Sequence, residues 1–343
     1  MTARGRIRML VVLCGLVALA AVIPALTSGY WLKVLTLSAV FMLPALAISV
    51  LYGRLGFVSL SQLAFVGVGG WVFLRIGHAT ALPNPILLLC AGVITCVVGT
   101  LVGLPALRLS GLTLSLVTLM TAAAFEVVIA AVGFPDGGPG FFGSDTPSPS
   151  TVSRPPFATS DAGVFLYTVI VVAALFVGTG ALTRGRAGRA WAVIRQSPAA
   201  AYAAGIDVAR YRVIGLALTS FISGVSGGLL ATGDGRLDPI SFPALQSVVL
   251  FAVLLIGGAF SLWGAVLAGL LYEALPNALS QAGVNSDIIL VVIGLGLINS
   301  LTTAPGGMAA QLAGLPAAIR RVARRLSALD TEVTAMPGTG GPS

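Results

Sequence analysis

Apolar runs long enough to cross a lipid bilayer follow one another along almost the whole chain, and they decide what it can fold into. A helix spanning the hydrocarbon core needs about 20 mostly apolar residues. Ten such stretches stand out, near 9–27, 34–51, 57–74, 86–104, 111–133, 163–183, 213–232, 242–260, 264–280 and 285–303. Only 9% of the 343 residues are charged, with a mean hydropathy of +1.01. A water-facing domain carries about 25% charged residues. Too few charges remain to coat a soluble surface of this size, so lipid is the solvent for most of the chain. The expected fold is all-α: a polytopic transmembrane helical bundle of about ten spans.

Two of these runs are unusual. The third carries Ser59, Ser61 and Gln62 and the glycines Gly67, Gly69 and Gly70, which predict a helix broken or buried against its neighbours rather than facing lipid. The first follows Arg4, Arg6 and Arg8, is longer than a signal peptide's apolar core, and is interrupted by Pro24. It reads as a retained first span.

The net charge of +8 is a topology signal. With the N-terminus in the cytoplasm and ten alternating spans, 15 of the 19 basic residues fall on the cytoplasmic side, leaving Lys33, Arg75, Arg154 and Arg236 outside. That asymmetry is the positive-inside pattern. It places both termini in the cytoplasm, with a cytoplasmic loop at 184–212 and an external loop at 134–162. The transmembrane domain extends over 1–316, and 317–343 reads as a cytoplasmic tail, partly disordered. Five spans precede the helix leading into the cytoplasmic loop, and that helix with the four after it makes a second five. Two halves of that size have opposite orientations, so an inverted five-plus-five architecture is open, without recognisable similarity between the halves.

Several chemistries are excluded. The single lysine, Lys33, lies in no Gly-rich segment, so the chain has no Walker A loop for nucleotide. The single histidine, His78, rules out a multi-histidine metal site and is expected in a short outer loop. Cys14, Cys90 and Cys96 lie in apolar runs without CxxC spacing and read as small apolar side chains. The basic segments lack interleaved aromatics, which removes nucleic acid as a partner. No catalytic, cofactor or metal site is expected in this chain. Two carboxylates fall within spans, Glu126 and Glu273. Such residues usually face a bundle interior or a water-filled path. Glu126 suits either a pathway role or a structural hydrogen bond. Glu273, followed by Pro276, suits bonding to backbone groups freed by the proline.

The loop RGRAGRAWAVIRQSPAAAYAAGIDVARYR, residues 184–212, is too polar to span. Ser197 is placed to cap a helix, Pro198 is tolerated in a first turn, the Ala-rich stretch 199–204 favours helix, and Gly205 closes it. The expectation is a compact helix with small side chains on every face, able to dock closely on another protein.

These residues resemble the coupling loop of ATP-binding-cassette importers, and within them the branched-chain amino-acid permeases of the LivM type. The matching positions are Gly188-Arg189, Ile194-Arg195, Ala200-Ala201, Gly205-Ile206 and Tyr211, with Ala199 where the wider pattern has glutamate. Three further stretches resemble the same family: Gly56 to Gly69, in which Phe57, Ser61 and Gln62 depart from the commonest residues; Leu107 to Glu126; and Gly257 to Gly264, with Phe260 replacing a glycine. Asp136 to Gly140 fits the family's Gly-rich outer loop.

The resemblance implies a permease subunit of the bacterial cytoplasmic (inner) membrane that carries branched-chain or other hydrophobic amino acids by alternating access. It further implies a second related permease, two cytoplasmic ATPase subunits that bind the ATP, and an external solute-binding protein. On this reading Arg195, Ala200, Ala201, Gly205, Ile206 and Tyr211 couple to the ATPase, while Ser59, Ser61, Gln62 and Glu126 border the path. The competing class is an ion-gradient-driven secondary transporter using an intramembrane carboxylate.

Overall fold

The computed structural model describes residues 23–24, 27, 29–107, 109, 111–138, 140–144, 150–152, 154–156, 158–303 and 307–309, and among them every regular element is helical. Helix α1 (Gly29–Val50) runs on through a π-helical turn (Leu51–Leu55), and α2 (Gln62–Ala79), α3 (Asn84–Ala106), α4 (Gly111–Val132) and α5 (Asp161–Arg184) follow. Two short helices, α6 (Arg186–Gln196) and α7 (Pro198–Ala203), lead into α8 (Val208–Asp234). A 3-10 turn (Pro239–Ser241) then precedes α9 (Ala244–Gly257), α10 (Leu262–Gln281) and α11 (Ser286–Thr303).

Among the described residues, seven segments are long and apolar enough to cross a membrane: Gly29–Leu55, Asn84–Ala106, Gly111–Val132, Asp161–Arg184, Val208–Asp234, Pro239–Gly257 and Leu262–Gln281. The chain is a multi-pass membrane protein. Every apolar run from 34–51 onward overlaps one of these helices, α2 or α11. The expected first span, with Arg4, Arg6, Arg8 and Cys14 before or within it, lies outside the described residues except at 23–24 and 27, and the tail at 317–343 lies wholly outside them.

Two boundaries differ from the apolar runs for local reasons. The run at 57–74 becomes a loop followed by a helix that starts only at Gln62. Gly56, left-handed at φ 82°, ends the π turn, and the Leu60 amide donates to Thr118 Oγ1 on α4 at 3.0 Å instead of to a helical carbonyl. A neighbour's hydroxyl thus satisfies backbone that would otherwise be bare at membrane depth. The run at 242–260 yields only the 14-residue α9, opened by Pro243 and ended by Gly258 at φ 112°. Such a helix is about 21 Å long, short of the roughly 30 Å hydrocarbon core.

Helices α2 and α8 form the centre, and small residues set how closely they pack. A Cβ on Gly227 would lie 1.9 Å from the Val66 carbonyl oxygen and one on Gly69 2.2 Å from that of Gly224, so α2 and α8 touch backbone to backbone. Antiparallel to α8 lies α3, where Gly99 faces Ser220 and Gly103 faces Leu216, while Gly224 faces Thr95 and Gly228 faces Leu88. The Gly99-x-x-x-Gly103 and Gly224-x-x-x-Gly228 spacings are therefore packing devices within the bundle. On the far side, α1 packs along α10, where Gly269 meets the Ser38 carbonyl.

The helices alternate direction between two ends. At one, the start of α1 meets the end of α8 through Lys33 Nζ and Asp234 Oδ1 at 2.8 Å. The start of α3 meets it too, Asn84 Nδ2 donating to Thr232 Oγ1 at 3.2 Å. The segment after α4 folds over this end: Val152 N–H donates to the Gly235 carbonyl, and Arg75 from α2 donates to the Gly140 and Phe141 carbonyls. His78 belongs to the last turn of α2 rather than to a loop, with Nε2 3.1 Å from the Ser150 oxygen. At the other end the π turn, the α9–α10 turn and α6–α7 come together.

Candidate functional site

The α6–α7 unit is built from its own caps and a small core. Ser197 Oγ accepts from the Ala200 amide at 3.2 Å, opening α7. Gly205, at φ 72°, closes it, its amide donating to the Tyr202 carbonyl while that of Ile206 reaches the Ala201 carbonyl at 2.9 Å. This is the helix expected from the sequence, with Pro198 as its first residue. Ala201, Ile194 and Val208 form a buried cluster with Ile206 and Tyr211 packed against it. Trp191, fully buried, donates through Nε1 to the Tyr211 carbonyl at 3.0 Å. Of the expected coupling residues, Ala201, Ile206 and Tyr211 hold this unit together from inside. Ala200 and Gly205 lie on its exposed face beside Tyr202.

Arg195 does something different: it ties the unit to the bundle. Its Nη1 donates to the Gly53 carbonyl at 2.8 Å, and its guanidinium lies 4.6 Å from the centre of the Phe260 ring. Among described residues this end carries Arg54, Arg184, Arg186, Arg189, Arg195, Arg210 and Arg212 against one carboxylate, Asp207. Asp207 is itself engaged, its Oδ1 accepting from the Arg210 amide that opens α8.

The expected path residues separate into three environments. Ser59 and Ser61, both buried, have their hydroxyls 3.1 Å apart and line a cleft with Phe57, Phe65, Leu114, Thr118, Thr121 and Leu216. The cleft is ≈ 10 Å³, room for about one water molecule. It is closed to any solute in this conformation. Gln62, fully buried, turns instead to α8, where its Oε1 accepts from Ser223 Oγ at 2.7 Å. Glu126 stands two turns beyond Thr118 on α4, about 12 Å along the axis. Its Oε2 accepts from the Ala244 amide at 2.7 Å, so the carboxylate sits on the positive end of α9.

Helix α4 therefore holds the openings of both interrupted segments, Thr118 at the loop before α2 and Glu126 at the start of α9. Glu273 takes a donor from its own helix, Asn277 Nδ2 at 3.3 Å, and Tyr30 Oη in turn donates to Asn277 Oδ1 at 2.9 Å. The freed backbone near Pro276 is not its partner. Among described residues no group of three or more His, Cys, Asp or Glu is placed to hold a metal ion. Cys90 and Cys96 are half-buried free thiols on α3. Thr118, Ser223, Trp191 and Gly53 carry no motif of their own, and their roles emerge only from contacts between separate segments.

Residues 30–301 match the family described as "Branched-chain amino acid transport system / permease component". The chain belongs to this permease family. It is similar to the high-affinity branched-chain amino acid transport system permease protein LivM of Escherichia coli, 28% identical over 281 residues, which are 76% of this chain and 66% of that protein. The LivM protein of Salmonella typhimurium is 27% identical over the same shares of each chain. The chain thus spans just under two thirds of the length of these relatives. No solved structure matches it significantly.

Proposed function

We propose that this chain is a transmembrane permease subunit of an ATP-binding-cassette importer for branched-chain or other hydrophobic amino acids, set in the inner membrane of a bacterium. It is a transport subunit and no enzyme: ATP is bound by two separate cytoplasmic ATPase subunits, a second related permease completes the path, and an external solute-binding protein delivers the solute. The observation that carries the reading is the α6–α7 unit, a short helix capped at both ends at the arginine-rich end of the bundle, whose exposed face is made of alanines and Gly205 around the single large side chain Tyr202. Such a surface suits docking by another protein.

The arginine-rich end is the cytoplasmic one on this reading. The described helices then run alternately from outside to inside, and a first span at 9–27 brings the count to ten with both termini cytoplasmic. An inverted five-plus-five arrangement is supported by matched packing: α3 lies along α8 much as its counterpart α10 lies along α1. The path runs beside Ser59 and Ser61. Gln62 and Glu126 border it by fixing α8 and α9, and the closed cleft opens when these elements move. Both intramembrane carboxylates already accept structural hydrogen bonds, Glu126 from the start of α9 and Glu273 from its own helix, which favours ATP over an ion gradient as the driving force.

Affinity purification from native membranes in mild detergent, with mass spectrometry, tests the assembly. Recovery of a second permease with Walker-containing ATPases is expected. Recovery of this chain alone, with uptake lost on collapsing the proton gradient at constant ATP, would overturn it. The docking face is tested with Ala200→Glu, since Ala200 is exposed and in ordinary helical geometry. Gly205→Glu would confound docking with backbone strain, because Gly205 is left-handed. Ala200→Glu is expected to lose the ATPase and uptake, whereas Gly205→Asn, which tolerates that conformation, keeps both.

A further inference from the structure

The end of the bundle that holds α6–α7 contains a joint of three elements around one guanidinium. Arg195 belongs to α6, and Gly53, whose carbonyl accepts from it at 2.8 Å, belongs to the π turn that ends α1. Phe260, whose ring centre lies 4.6 Å from the guanidinium carbon, belongs to the α9–α10 turn. The π turn and the α9–α10 turn abut without an intervening side chain. A Cβ on Gly53 would be 2.4 Å from the Ala259 carbonyl oxygen, which accepts from Ser49 Oγ at 2.8 Å. Phe260 also stacks on Tyr52 of the π turn, centroids 5.7 Å apart, and Tyr52 meets Phe251 of α9 edge-on at 5.4 Å. Position 56 favours glycine, because the backbone is left-handed and the Arg195 side chain passes 3.0 Å from the Cβ position. Directly beyond Gly56 the chain becomes the Phe57–Ser61 loop that lines the cleft.

We propose that Arg195 and Phe260 form the joint through which α6–α7 moves both halves of the bundle together, with Phe260 acting as the positioning residue that holds the guanidinium on Gly53. The inference rests on the importer reading. The Gly53 carbonyl alone would tie α6 to the first half. The Phe260 ring places the same cation against the second half, and its stack on Tyr52 keeps the two turns in register. A planar guanidinium can bond in its plane and stack on its face at once, which an ammonium cannot reproduce. Displacing α6 then shifts the π turn, and with it the loop carrying Ser59 and Ser61, in step with α9. A loosened joint leaves ATP hydrolysis running but disconnected from the cleft.

The test uses the whole complex in proteoliposomes, with solute uptake and ATP hydrolysis measured in the same vesicles. Phe260→Ala is expected to raise ATP hydrolysed per solute moved about tenfold, and Phe260→Tyr, which keeps the ring face, to restore the wild-type ratio. Arg195→Gln should raise the ratio similarly, and the double variant should be no worse than Arg195→Gln alone. A variant that merely fails to fold lowers uptake and hydrolysis together, so an unchanged ratio in Phe260→Ala at undiminished uptake overturns the joint, and an unchanged ratio in Arg195→Gln at undiminished uptake does the same. Failure of Phe260→Tyr to restore the ratio overturns it equally. If wild-type vesicles show no ATP-driven uptake, the importer reading and the joint fall together. If they do and only the ratio stays fixed, the joint alone falls.

Discussion

The two ends of the bundle are closed by different chemistry. At the end that gathers Lys33, Arg75, Arg154 and Arg236, acids stand beside bases. Lys33 pairs with Asp234 and Arg154 with Asp161, both at 2.8 Å, and Arg154 also donates to the Gly233 carbonyl. Asn84 joins Thr232 and Tyr167 beneath them. At the opposite end seven arginines face one described carboxylate, and the contacts are a guanidinium on a carbonyl, a cation on a ring, and glycines pressed on backbone. One end is balanced within the chain. The other carries a charge excess that an acidic partner surface or anionic lipid headgroups would balance. The difference marks which end is finished by the chain itself and which is left for assembly.

The largest effect is expected where both ends share a support, the glycine contact between α2 and α8. Gly227→Leu would drive a side chain into the Val66 carbonyl and the Gly70 amide, 1.9 and 2.5 Å from its Cβ. Backbone cannot yield as a flexible side chain does, so the cost reaches or exceeds about 3 kcal/mol, the upper end of overpacking. Thermal unfolding in detergent should show loss of the folded protein. Gly178→Leu on α5, whose Cβ would meet nothing within 4 Å, should leave it intact.

The unbalanced end should next lose its partner without losing its fold. Arg186 and Arg189 are exposed on α6, and reversing both with Arg186→Glu and Arg189→Glu is expected to lower ATPase recovery by roughly tenfold, more so at low salt. Unfolding temperature should stay unchanged. Undiminished recovery at every salt concentration would mean that the arginines mark membrane orientation alone. The balanced end should behave in the opposite way. Asn84→Ala removes one hydrogen bond each from buried Thr232 and from Tyr167, a cost of about 0.5–1.5 kcal/mol per bond, while leaving ATPase recovery intact. Lys33→Ala should cost under about 1 kcal/mol, because the Lys33–Asp234 pair is solvent-exposed.

How much of this contrast the sequence reveals depends on the range of each interaction. The capped helix at 198–203 is legible because Ser197, Pro198 and Gly205 act on backbone within a few residues of themselves. The spans are legible because bilayer thickness sets a length that composition must fill. The buried third run is legible from Gly67, Gly69 and Gly70, since only small residues permit such contact. The joints are not. Arg195 bonds Gly53 across 142 positions, Ser223 bonds Gln62 across 161, and Glu126 bonds Ala244 across 118. Nothing local to Glu126 distinguishes a helix cap from a path residue. For the same reason Thr118, an unremarkable hydroxyl in an apolar helix, gives no sign that it holds the loop before α2.

Glu126→Gln should give a small effect on uptake, and the most discriminating one. As a cap on α9 Glu126 needs an acceptor oxygen rather than a charge, and Glu126→Gln retains one at the same position. What is lost is the attraction between a carboxylate and a helix N-terminus, about 0.3–1 kcal/mol at an exposed site and up to about 2 kcal/mol where, as here, the carboxylate is half-buried. Uptake should then stay within about twofold of wild type, with a small drop in unfolding temperature. Glu126→Leu removes the acceptor as well and leaves the Ala244 amide without its partner, so its drop should be the larger by about 1 kcal/mol or more. A gradient-driven carrier predicts another order: glutamine, unable to titrate, would abolish uptake as completely as leucine. Equal loss in both variants would therefore transfer Glu126 from the scaffold to the path, and would make the balanced end, not the arginine-rich one, the place where transport is powered.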